Sequence, residues 1–178
     1  MSRTVFNLLP VAALAALLGG CGLTQAVSDT SASVARATFY KQVKTLHLDF
    51  NGRVAMNTDQ ADMGGLSVPV MVRVYQLRDP RALERASYDR VLSDAERLLQ
   101  GDLLEQRALV VKPAEGAQLS MPLEQDAQFV TVVALFRTPD RQTGSWRLTL
   151  SRADLDPERS RMIELGNNRL TLQPLAQE

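Results

Sequence analysis

The chain has 178 residues, with 20 Lys and Arg against 20 Asp and Glu, one histidine and one cysteine. Balanced charge excludes the basic footprint that nucleic-acid binding needs. A lone cysteine excludes an intramolecular disulfide, and with a lone histidine it cannot form a zinc cluster.

The N-terminus carries Arg3, then an apolar run from Leu8 to Leu18, then Gly19-Gly20-Cys21. A basic start, an apolar centre and small residues at a cut are the three regions of a secretory signal. The apolar run has 11 residues, whereas a membrane-spanning helix needs ~20. Cysteine directly after the small residues makes this a lipoprotein signal. It predicts residues 1–20 as a signal peptide and Cys21 as the acylated residue. Gly22, where an Asp favours inner-membrane retention, points to the outer membrane, with the domain facing the periplasm. Two or more acyl chains hold a protein firmly on a bilayer.

Residues 21–44 read as an acylated flexible tether. Ser28-Asp29-Thr30-Ser31-Ala32-Ser33 is too polar to pack a core. Val34–Val43 reads as a short helix or an extended lead-in. A coil of ~20 residues spans roughly 25 Å. That confines the domain near the membrane and raises its effective concentration for a partner there.

A sandwich domain is expected over 45–174. Leu46, Leu48, Phe50, Val54 and Met56 share one parity against His47, Asp49 and Arg53, so one strand with a kink at Gly52 is expected. Residues 57–67 form a loop. Val68, Val70, Val72 and Val74 line one face of a second strand over 68–75, with Pro69 near its start. Asp79-Pro80 and the Ser93-Asp94-Ala95-Glu96 capping box predict a helical insertion at about 80–100, with Leu83, Ala86, Leu98 and Leu99 on its apolar side and Gly101 ending it. Further strands follow at 108–111, 118–121, 129–136, 145–150 and 169–172. The near-continuous apolar run 129–136 reads as a central strand covered on both sides. About seven short strands argue for an all-β, two-sheet sandwich.

Catalytic constellations are thin. His47 lies on the wet face of the first strand, without partners for catalysis. No nucleophile elbow or phosphate loop occurs, and Gly64-Gly65 lacks a strand-to-helix context. Asp154, Asp156 and Glu158 alternate. They lack the Gly and closing Glu of a calcium loop, so a charged surface turn is expected. Met63 and Leu66, set among acids and glycines, either dock on another protein or fold back onto the sandwich edge.

Met56-Asn57, a polar loop, and then Val72-Arg73-Val74-Tyr75-Gln76-Leu77 resemble the TssJ (VasD/Lip) lipoproteins of type VI secretion systems. Ala134-Leu135-Phe136-Arg137, Trp146-Arg147 and Phe39-Tyr40-Lys41-Gln42-Val43 add to the resemblance, which covers nearly the whole mature chain. It implies a transthyretin-like β-sandwich with added helices, no enzymatic activity and no cofactor or metal. It also implies binding to the periplasmic C-terminal domain of the inner-membrane protein TssM, with TssL an indirect neighbour in the membrane complex. In the family, the loop between the first two strands is implicated in that contact. Carried onto this chain, the candidates are Asn57, Thr58, Asp59, Gln60, Asp62, Met63, Gly64, Gly65 and Leu66.

The alternative is a lipid-anchored periplasmic sandwich that binds a small ligand or glycan. That reading wants an aromatic-rich concave surface, and the chain has one Trp and three Tyr. A transthyretin-like hydrolase, by resemblance, wants several histidines converging with arginines on a cleft.

Overall fold

The computed structural model describes residues 43–59 and 65–175. The signal peptide, Cys21, the tether up to residue 42 and the loop residues 60–64 lie outside the described residues.

The first strand, β1 (Thr45–Gly52), buries Leu46, Leu48 and Phe50 and turns Thr45, His47 and Asp49 outward. The second, β2 (Val70–Leu77), is followed by α1 (Arg81–Arg85) and α2 (Tyr88–Leu99). Then come β3 (Leu103–Val111), β4 (Gly116–Pro122), β5 (Phe129–Ala134) and β6 (Arg147–Ser151). A short 3-10 turn (Arg152–Asp154) leads to β7 (Arg161–Gly166) and β8 (Arg169–Leu172). The strands form two four-stranded sheets, ordered β4-β1-β7-β8 and β3-β2-β5-β6. The β1–β7 pair is parallel and the others are antiparallel. Their inner faces form one apolar core, as a two-sheet sandwich requires.

The helices cover the outer face of the second sheet. Arg73 of β2 donates to the Val91 carbonyl, and Arg147 of β6 donates to the Leu83 and Ala86 carbonyls at 2.8 Å each. Tyr88 meets Trp146 edge-on at 5.2 Å and donates its hydroxyl hydrogen to the Phe136 carbonyl at 2.6 Å. That double cover explains why Val130 through Ala134 are all buried, as the apolar run predicts.

Several sequence expectations shift. The first strand stops at Gly52 rather than continuing to Met56. A Cβ on Gly52 would sit 2.4 Å from the Lys112 carbonyl oxygen, so the close approach of the β3–β4 turn demands glycine. The chain then leaves the ladder, although Met56 still enters the core. The helical insertion is present and is made of α1 and α2. The N-cap of α1 is Pro80, one residue later than the expected Asp79, although Asp79 still accepts from the Arg81 N–H at 2.9 Å. The start expected at Ser93 falls at a break: α2 is two helical stretches joined across a kink at Asp94, one residue past Ser93, whose hydroxyl donates to the Asp89 carbonyl instead of capping. Asp94 leaves helical dihedrals there (φ −148°, ψ 40°), and the N-cap is Ser87. β7 is an eighth strand beyond the seven expected. Asn167 and Asn168, both at positive φ, make the tight turn into β8 in the manner of a type I′ hairpin.

Topology gives the sandwich two distinct ends. Val43 leads into β1 at one end, beside the β4–β5 and β6–β7 connections. The β1–β2, β3–β4, β5–β6 and β7–β8 connections all lie at the other end. The eight residues of β1 separate the two by roughly 26 Å at ~3.3 Å per residue.

Candidate docking loop and its footing

The loop after β1 stands on a polar base. Asn57 is 3% exposed and adopts φ 51°. Its amide nitrogen donates to the Pro69 carbonyl at 3.0 Å, and its side-chain oxygen accepts from the Arg137 N–H at 2.7 Å. The Thr58 N–H donates to the Asn168 side chain at 2.9 Å. The Thr58 carbonyl accepts from Asn168 and Thr138, each at 2.8 Å. The Met56 N–H donates to Ser67 Oγ at 3.2 Å, closing the neck of the loop. Three connections at one end of the sandwich are thereby fastened together.

The predicted loop residues therefore separate into two sets. Asn57 and Thr58 are footing, through the buried Asn57 side chain and the Thr58 backbone groups. Asp59 is half-buried and lies 3.7 Å from the Arg137 guanidinium. Gly65 has φ 53°, the left-handed region that glycine accepts freely. Leu66 is 70% exposed, so it does not fold back onto the sandwich edge. Gln60, Asp62, Met63 and Gly64 lie outside the described residues.

The neighbouring β5–β6 connection is preorganised. Asp140 accepts from the Gln142 and Thr143 N–H groups and from the Thr143 hydroxyl at 2.7 Å. The Thr143 hydroxyl and then the Thr143 N–H hold the Asp140 carboxyl below its ordinary range. Arg141 grips Asp89 of α2 with two bonds of 2.9 Å. Arg137, Thr138 and Asn168 are footing residues that sequence reasoning missed. The adjacent pair Asn167-Asn168 was the one local signal, because consecutive asparagines favour turns.

Other candidate chemistry is accounted for. His47 Nδ1 lies 2.9 Å from Ser120 Oγ across the β1–β4 pair. Asp154 accepts from the Ser151 N–H and hydroxyl, and Asp156 accepts from the Glu158 and Arg159 N–H groups. These acids build a turn, as expected. No His, Cys, Asp or Glu group among the described residues is arranged to hold a metal.

Comparison with known proteins gives a consistent result. Residues 44–168 match the family described as Type VI secretion lipoprotein, VasD, EvfM, TssJ. A chain in the structure described as "T6SS protein TssM C-terminal domain (869-1107) from EAEC" is 38% identical, with TM-score 0.65 over 75% of this chain and 100% of that one. A chain of the structure described as "Type VI membrane complex" is also 38% identical over the same shares, with TM-score 0.70. The lipoprotein TssJ1 from Pseudomonas aeruginosa is 24% identical with TM-score 0.60, over 75% of this chain and 98% of that one, and supports the fold alone. No curated protein sequence matches. The matched span takes in every strand of the sandwich up to the β7–β8 turn, and the chain belongs to the type VI secretion lipoprotein family.

Proposed function

We propose that the chain is the outer-membrane lipoprotein of a type VI secretion membrane complex. In this role it is a non-enzymatic connector. Acyl chains on Cys21 hold it to the outer membrane from the periplasmic side. The loop 57–67 docks on the periplasmic C-terminal domain of TssM, and TssL is an indirect neighbour. Support comes from the family and from relatives at 38% identity in structures described by TssM and by the membrane complex. The single observation that carries the reading is the polarity of the sandwich. The chain from Cys21 enters at Val43, and the footed loop with exposed Leu66 lies at the other end. A rigid body fastened at one end and presenting a loop at the other needs no catalytic group.

The test is membrane fractionation of bacteria making the native chain or Cys21→Ser, followed by co-purification of TssM. The native chain is expected in the outer-membrane fraction with TssM, and Cys21→Ser outside that fraction. Equal outer-membrane recovery of both would overturn the lipid anchor. Absence of TssM from the native material would overturn the assembly role.

A further inference from the structure

The point where the N-terminal chain joins the sandwich is fastened by one guanidinium. Arg152 Nη2 donates to the Val43 carbonyl at 3.0 Å. Its Nη1 donates to the carbonyls of Glu124, Gln125 and Ala127 at 3.0, 3.2 and 2.7 Å. Four carbonyls from two remote segments thus converge on one side chain. Arginine suits this because its donors form a rigid planar fork, and a charged donor strengthens each bond.

The surroundings hold that fork in place. Arg152 begins the 3-10 turn closed by the Ser151–Asp154 capping box. Its N–H donates to the Gln128 carbonyl at 2.8 Å. On the other side, Val43 is 7% exposed, and the Lys44 carbonyl accepts from the Leu123 N–H at 2.9 Å. The 122–128 segment is tied onward into the sandwich. Gln76, fully buried in β2, donates to the Pro122 carbonyl and accepts from the Glu124 N–H, both at 2.8 Å. The contacts therefore run from Val43 through Arg152 and residues 124–127 to Gln76 in a central strand.

We propose that Arg152 is a force-transmitting joint. It passes tension on the N-terminal chain into the second sheet before that tension reaches β1. Without it, a pull on Val43 falls on the first residues of β1, whose backbone bonds to β4 would open one at a time from the end. With it, several bonds must yield together, and the pull is shared with the β4–β5 connection. The biological use of this joint rests on the lipid-anchored reading above, whereas the contact itself does not.

The test uses the full chain made in bacteria and extracted from membranes in mild detergent. Recovery from the membrane or soluble fraction reports separately on the lipid anchor. Hydrogen exchange is measured on the native chain, Arg152→Ala and Arg152→Lys. Arg152→Ala is expected to speed exchange at residues 43–46 and at Leu123 by tenfold or more, leaving β2 and β5 unchanged. Arg152→Lys keeps the charge without the fork and is expected to fall between. Single-molecule pulling between the N-terminal chain and Leu66 is expected to show an early low-force extension in Arg152→Ala that the native chain lacks. Unchanged exchange at 43–46, equal acceleration throughout the domain, or identical force traces would each overturn the proposal.

Discussion

The Asn57 side-chain oxygen accepts the backbone N–H of Arg137 at 2.7 Å, from 80 positions away in the sequence. One buried amide thus binds the loop after β1 to the loop after β5. Asn57→Ala removes that bond and the one to Pro69, and it places alanine at φ 51°. Leaving a buried partner unsatisfied and straining the backbone costs about 2 kcal/mol or more. Asn57→Gly accepts the dihedral and isolates the hydrogen-bond part. Urea denaturation of the two variants is expected to rank Ala below Gly, and both below the native chain.

Gly52→Ala tests the close approach behind β1. The added methyl would meet the Lys112 carbonyl oxygen at 2.4 Å, and backbone there cannot swing aside as a side chain would. Overpacking of this kind costs about 1–3 kcal/mol. Thermal unfolding is expected to show the loss, while the alternating residues of β1 keep their protection in hydrogen exchange.

Arg147→Ala tests how the helices are held. It removes the two hydrogen bonds of Nη1 to the Leu83 and Ala86 carbonyls, in the C-terminal half of α1 and at its C-cap, and the cation stacked 4.7 Å from the Trp146 ring centroid. A loss of about 1–3 kcal/mol follows. Trp146 is the only tryptophan, so the protein's indole fluorescence reports its surroundings, here Arg147 and Tyr88. A red shift is expected in the folded variant; an unchanged spectrum would show that the guanidinium does not order the indole.

Acid acts on the turn that carries Arg152. The Ser151 hydroxyl, then the Ser151 N–H, hold the Asp154 carboxyl below its ordinary value of 3.8. A folded-state value below the unfolded one means the stabilisation is complete above pH 3.8. It is lost as pH falls through the lower, folded value. Asp154→Asn is therefore expected to be less stable than the native chain at neutral pH, by under ~1 kcal/mol for so exposed a group. The two should converge in strong acid. Denaturation midpoints across that range measure the gap, and a gap that persists in acid would show another origin.

How much was legible in the sequence followed from the reach of each signal. The parity of Leu46, Leu48 and Phe50 declares a half-buried strand, because alternation is local. The run from Val130 to Ala134 declares a strand covered on both faces for the same reason. β7 was missed although Ile163 and Leu165 alternate with Glu164. The stretch is short and pairs in parallel with β1, so no adjacent hairpin partner precedes it to mark its start. The footing of the loop was out of reach, since Thr58 and Asn168 stand 110 positions apart. The loop itself was visible from composition. That Asn57 and Thr58 serve its base while Leu66 points outward depends on tertiary neighbours.

The central claim is that the loop at the end remote from Val43 grips TssM. The most direct measurement is the dissociation constant between the detergent-extracted chain and the purified periplasmic C-terminal domain of TssM. It is compared for the native chain and for a variant with residues 59–66 replaced by a Gly/Ser stretch of equal length, which keeps Asn57 and Thr58. Docking through the loop gives at least tenfold weaker binding, ~1.4 kcal/mol, with an unchanged denaturation midpoint. Equal dissociation constants for two equally stable proteins would contradict it.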